Sequence, residues 1–147
     1  MTSDLPLLML ADGRKPRPRK AENSEVRPRD RNAEARTQAA VVEWIRLVAP
    51  QLIAFHVPNG GYRTPAEAAR MKWVGVLAGV PDLVVLGRDG QSWLIEVKAE
   101  HGTLSAEQRA MRDRCTALRI PFVVAKSIYD VRRAFEIWGI ETRESAR

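Results

Sequence analysis

Two short pieces of this sequence carry most of its chemistry: Glu96-Val97-Lys98 at the end of one apolar run, and Pro81-Asp82 at the start of another. Side chains alternate along a strand, so Trp93, Ile95 and Val97 face one side and Leu94, Glu96 and Lys98 the other. Holding a carboxylate and an ammonium on one face of so apolar a strand costs on the order of several kcal/mol unless they pair or serve a site. The turn between the two runs decides whether Asp82 joins them. With Asp89-Gly90 as a two-residue loop, Asp82 lies opposite Val97, on the wrong face. With Arg88-Asp89-Gly90 as a three-residue loop, Gly87 pairs with Gln91 and Asp82 comes opposite Glu96. Such a loop wants glycine in its left-handed third position, and Gly90 is there, so the second register is expected. Two carboxylates and a lysine then share one patch.

Two converging carboxylates suit a hard cation such as Mg²⁺, which takes oxygen ligands and keeps several waters. The Val97 carbonyl lies between the charged positions and offers a neutral oxygen. An ion held there can polarise a phosphoryl oxygen and make a bound water more acidic. Lys98 could position or deprotonate the attacking water, or steady the phosphate's charge. The competing reading is a solvated cross-strand network of exposed side chains, for which Glu-x-Lys alone is a common tripeptide.

The elements that must position these residues can be read outward from them. Asp82 to Leu86 and Trp93 to Lys98 form a hairpin, and Ser105-Ala106-Glu107-Gln108 opens a capped helix running to about Leu118. Phe122 to Ala125 reads as an apolar strand of the fully buried type. Ser127 and Asp130 start a last helix with an apolar stripe of Ile128, Val131, Phe135 and Trp138, stopped at Gly139. Upstream, Glu34, Gln38, Val41, Ile45 and Val48 fall on one face of a helix that begins at Ala33 and ends at Pro50. Leu52 to Val57 is a short strand closed by Pro58-Asn59-Gly60-Gly61. Thr64-Pro65-Ala66-Glu67 then starts a helix carrying Arg70 and Lys72 and stopping near Gly79. The order αβαββαβα predicts an α/β fold with a mixed sheet and helices on both faces.

Three units are expected: a basic Pro/Arg-rich tail over residues 1–32, a folded domain over 33–140, and a short C-terminal tail over 141–147. In the first, prolines and mutually repelling Arg and Lys side chains oppose both helix nucleation and a core. A formal charge of +6 and a pI near 10.1 point to nucleic acid as the anionic partner. Cys115 stands alone, which argues against a disulfide framework or a zinc site and for a reducing cytoplasm. The apolar run Leu5 to Leu10 is too short to span a bilayer, so no membrane partner is expected.

The block from Glu34 to Gly139 resembles the VRR-NUC family within the PD-(D/E)XK nuclease superfamily. The resemblance rests on Gly79-Val80-Pro81-Asp82-Leu83, Ile95-Glu96-Val97-Lys98 and Leu104-Ser105-Ala106-Glu107-Gln108, in that order. His56-Val57-Pro58-Asn59-Gly60-Gly61 is similar to the corresponding piece of small phage and prophage members. The resemblance implies a restriction-endonuclease-like sheet flanked by helices, with Asp82 and Glu96 as metal-binding carboxylates and Lys98 as the catalytic lysine. It further implies that Gln108 lies beside the site and that Glu34 reaches the metal or its water shell. Gln108 is also a capping-box partner, and serving both ends would require its side chain to choose between them. Glu34 equally suits the positive end of its helix. His56, Asn59, Arg63, Arg70 and Lys72 are candidate contacts to the nucleic-acid backbone, against ordinary roles in a strand end, a turn and a solvated helix face.

The implied function is DNA hydrolysis assisted by Mg²⁺ or Mn²⁺, leaving a 5′ phosphate, with branched DNA such as four-way junctions as the substrate class. Two strands cut symmetrically need two active sites, for which a twofold homodimer is the common arrangement. The alternatives are a nucleic-acid-binding module that keeps the fold without catalysis, and a restriction-type nuclease with sequence preference.

Overall fold

Helix α1 (Ala33–Val48) buries Val41, Trp44, Ile45 and Val48, a stripe at helical spacing that faces a four-stranded sheet. The computed structural model describes residues 32–58 and 63–145, so most of the expected basic tail, Asn59 and the last two residues lie outside the described residues. After α1 come β1 (Ile53–His56), α2 (Pro65–Trp73), β2 (Leu83–Leu86), β3 (Ser92–Val97), α3 (Ala106–Ala117), β4 (Phe122–Ala125) and α4 (Ile128–Ile137). This is the expected αβαββαβα order.

The sheet order is β1-β2-β3-β4. The first three strands are antiparallel, and β4 returns parallel to β3 through α3. Parallel neighbours need such a crossover, whereas β2 and β3 need only a tight turn. That turn takes the three-residue form. Leu83 pairs with Ile95 and Leu86 with Ser92, and the Gly87 N–H donates to the Gln91 carbonyl at 2.9 Å. Gly90 is left-handed at φ +73°, as the loop requires, and Asp89 precedes it in the same region at φ +55°.

One face of the sheet carries Leu83, Val85, Trp93, Ile95, Val97 and Ala125, packed under α1 and α4. Trp44 and Phe135 join the two helices, with ring centroids 5.5 Å apart. Helix α3 covers the other face, and its buried Met111 and Cys115 stand outside the main core cluster. Helix α4 ends as expected, with Gly139 at φ +68° and the Ile140 N–H reaching back to the Phe135 carbonyl at 2.9 Å.

Two expectations are corrected. Helix α2 stops at Trp73, well before Gly79, because the chain turns at Val74 and Gly75, the latter at φ +95°. Strand β4 is not fully buried: it is the outer strand of the described sheet, and only Ala125 is closed off from solvent.

Gly79 fixes the approach to β2. Its φ is +77°, and a Cβ placed there would come 2.3 Å from the backbone oxygen of Glu107 in α3. Gly79→Ala is therefore expected to cost roughly 3 kcal/mol, through combined backbone strain and overpacking. A urea unfolding midpoint left unchanged in that variant would show that this contact has no structural weight.

Candidate active site

Asp82, just before β2, and Glu96, within β3, continue the hairpin register one step beyond Leu83 and Ile95, which brings them across from each other. They share the face of the sheet that α3 covers. Asp82 does more than present a charge, because its Oδ2 accepts the Val97 N–H at 2.9 Å and so extends the ladder where Pro81 interrupts strand pairing. The Asp82 carbonyl is held from the other side, by the Val57 N–H at 2.9 Å and by His56 Nδ1 at 2.8 Å. A carbonyl can only accept, so Nδ1 is the protonated nitrogen and Nε2 is left for other partners.

Glu96 is completely buried. Its Oε1 receives Lys98 Nζ at 2.6 Å and Gln108 Nε2 at 2.5 Å. Its Oε2 is buried with no hydrogen-bond partner among the described residues. Burial pushes the Glu96 carboxyl up to about 7, with the Asp82 charge adding to the shift and the Lys98 ammonium opposing it. A carboxylate with one saturated oxygen and one bare, buried oxygen is short of positive charge, and a cation at Oε2 is the natural remedy. The donor set also fits a hard divalent ion: Asp82 and Glu96 carboxylates, the neighbouring Val97 carbonyl, and no sulfur or imidazole required. Among the described residues, no three His, Cys, Asp or Glu side chains cluster tightly enough to make a metal cage. Water and phosphate oxygens would therefore complete the shell, as Mg²⁺ commonly permits.

Gln108 corrects an expectation. Its side chain does not choose between cap and site, because the two ends of the amide do different work. Oε1 accepts the Ser105 N–H at 2.9 Å and closes the capping box of α3, while Nε2 donates to Glu96. A glutamate would cap the helix equally well but could not donate when ionised. Gln108→Glu is accordingly expected to keep α3 intact yet destabilise the protein by about 1–3 kcal/mol near pH 8, with a smaller loss near pH 5 where a shared proton restores the bond. Equal losses at both pH values in urea titrations would contradict the contact.

The other candidate residues spread outward from this centre. Glu34 lies at the edge of the site, where its Oε1 accepts the Ala99 N–H at 3.1 Å and steadies the chain immediately after Lys98. Arg70 and Lys72 are exposed on α2, Arg63 is half-buried just before it, and Asn59 is outside the described residues. In the sequence, Ser105 reads as a helix cap and Gly79 as a helix stop, and both stand in the motifs that carry the family resemblance, without a role at the site. Both in fact seat the Gln108 end of α3 against the approach to Asp82. The signal was the glycine two residues before Pro81-Asp82, together with a capping box built on glutamine.

The family model for the VRR-NUC domain matches residues 19–128. A solved structure described as a VRR_NUC domain is 23% identical, with a TM-score of 0.52, and the match covers 71% of this chain and 95% of that one. A second, described as a VRR_NUC domain protein, is 24% identical with a TM-score of 0.57, covering 72% of this chain and 87% of that one. At these identities the two structures speak for the fold alone. No curated protein matches the chain. With about three quarters of its 147 residues matched by the family model, and the fold shared with those two structures, this chain belongs to the VRR-NUC domain family.

Proposed function

We propose that this protein is a DNA endonuclease dependent on Mg²⁺ or Mn²⁺, with Asp82, Glu96 and Lys98 as its catalytic centre. The observation that carries this reading is the bare, buried Oε2 of Glu96 on the same face as the Asp82 carboxylate. Asp82, Glu96 and the Val97 carbonyl would hold the ion. When bound, it supplies Lewis-acid polarisation of the phosphoryl oxygen and acidifies a water. Lys98, anchored to Glu96 Oε1, holds the attacking water or the phosphate beside the carboxylates. Gln108 fixes the rotamer of Glu96, and Glu34 keeps the Lys98-Ala99 segment in place. His56, through its free Nε2, together with Asn59, Arg63, Arg70 and Lys72, forms the path of the DNA backbone. Most of those side chains are cations or neutral donors, the chemistry that phosphates call for.

The preferred substrate in this reading is branched DNA, including four-way junctions, cut by two active sites in a homodimer. The test is incubation with labelled linear duplex, single-stranded, flap and four-way-junction DNA, each with Mg²⁺, Mn²⁺ and chelator. Cleavage of branched substrates that stops with chelator supports the reading in full. Cleavage only at a particular sequence in linear duplex would make it a restriction-type enzyme. Binding without cleavage under every metal condition would leave a nucleic-acid-binding module.

A further inference from the structure

Residues 99–104 join Lys98 to the capped start of α3 without forming helix or strand. Their backbone is nonetheless held by charged side chains from three separate elements. Glu34 of α1 accepts the Ala99 N–H at 3.1 Å. Lys126, just past β4, donates its Nζ to the Glu100 carbonyl at 2.6 Å. Arg109 of α3 donates Nη1 to the Leu104 carbonyl at 2.7 Å. Within the segment, the Gly102 N–H closes a turn onto the Ala99 carbonyl at 2.8 Å. That turn lies against Lys98: a Cβ at Gly102 would stand 3.2 Å from Lys98 Cβ. The Lys98 side chain beside it is only 12% exposed. Lys126 is the anchor that neighbours Lys98 in the sheet, since the Lys98 N–H donates to the Ala125 carbonyl at 2.9 Å and continues the parallel register of β3 and β4. The Lys126 main chain is itself fixed. Asp130 Oδ2, which also takes the Ser127 hydroxyl at the start of α4, accepts the Lys126 N–H at 2.8 Å.

We infer that Lys126 is a positioning residue for Lys98: by pinning the Glu100 carbonyl it keeps the 99–102 turn packed on the Lys98 side chain. The ammonium is thereby held on Glu96 Oε1, where the proposed reaction needs it. The consequence for cleavage rests on the nuclease reading, whereas the clamp is a property of the fold. Glu34 grips the turn at its first residue and Arg109 grips the far end of the segment, so the middle depends on Lys126. Glu100 is exposed, so water can replace the lost bond and the fold survives without it. What changes is geometry. Misplacing a reacting group by about 1 Å can cost on the order of a hundredfold in rate. A direct contact to DNA phosphate is the competing role for a surface lysine. The two roles differ in what they do to binding: a phosphate contact adds to affinity and to its salt dependence, and a positioning contact adds to neither.

The test compares wild type, Lys126→Ala and Lys126→Arg as full-length proteins, with circular dichroism confirming the fold. Lys126→Ala is expected to slow single-turnover cleavage of a four-way junction by about 10- to 100-fold. Its Kd for the same DNA should stay within about threefold of wild type, with the slope of log affinity against log salt unchanged. Lys126→Arg, which can still donate to the Glu100 carbonyl, is expected to recover most of the rate. Amide hydrogen exchange reads the clamp without catalysis. Residues 99–102 should exchange about tenfold faster or more in Lys126→Ala, while β3 and α4 keep their protection. A salt slope reduced by about one, with affinity falling in step with rate, would overturn positioning in favour of a phosphate contact. Unchanged exchange at residues 99–102 would overturn the clamp, and faster exchange with a wild-type cleavage rate would overturn its link to Lys98. Wild-type protein that cleaves no substrate with any metal would overturn the nuclease reading, and exchange alone would then decide the clamp.

Discussion

Replacing Glu96 with glutamine is expected to lower the cleavage rate by about a thousandfold or more, equivalent to roughly 4 kcal/mol of barrier, while leaving DNA affinity within a few-fold of wild type. The substitution keeps the shape of the side chain. Its carbonyl oxygen can still receive Lys98 and Gln108, so the hydrogen bonds at Oε1 survive. What is lost is the negative charge and the bare oxygen at Oε2 that a cation would satisfy. DNA affinity in this account comes from cations elsewhere on the chain, so binding and cleavage should separate in this variant. Single-turnover cleavage and a binding isotherm on the same four-way junction check it. A Glu96→Gln protein that retained a tenth of the wild-type rate would remove Glu96 from the reaction.

The same carboxylate should make the metal-free protein unusually sensitive to pH. Its folded-state value is raised from about 4.5 to about 7, mainly by burial, so the folded protein binds this proton more tightly than the unfolded chain does. The stabilisation is fully present below the unfolded value and is lost as pH rises through the folded one. With chelator present, the thermal midpoint should therefore fall by several °C between about pH 4.5 and 7 and flatten above. Glu96→Gln should remove that slope. Mg²⁺ or Mn²⁺ competes with the proton for the same oxygen, so the midpoint should rise more on adding metal at pH 8 than at pH 5. Differential scanning of both proteins across this range measures all three effects. A wild-type slope that persists unchanged in Glu96→Gln would assign it to other groups.

The hairpin was the most legible part of the sequence because one residue decided it. Gly90 in third position selected a register, and the register put Asp82 and Glu96 on one face. Capping chemistry was equally readable: Thr64 with Glu67 and Ser105 with Gln108 both form capping boxes at the expected helix starts. The end of α2 was misread although Gly75 offered a stop, because Val74, Val76 and Leu77 continue the apolar pattern toward Gly79. Strand β4 misled for a related reason. An apolar run reports affinity for a sheet, but its place at the edge depends on strand order, which is a tertiary property. The dual engagement of Gln108 needed coordinates as well, because it depends on Gly79 letting the start of α3 close to backbone contact beside Asp82. Those local rules gave the carboxylate pair. The support around it comes from packing.

The most direct measurement is a Mn²⁺ titration followed by electron paramagnetic resonance, on wild type, Asp82→Asn and Glu96→Gln, with and without junction DNA carrying non-hydrolysable linkages. One strong Mn²⁺ site per chain in wild type, weakened at least tenfold in each variant, is the predicted result. Equal Mn²⁺ occupancy in all three proteins, or none in wild type even with DNA bound, would contradict a metal centre between Asp82 and Glu96.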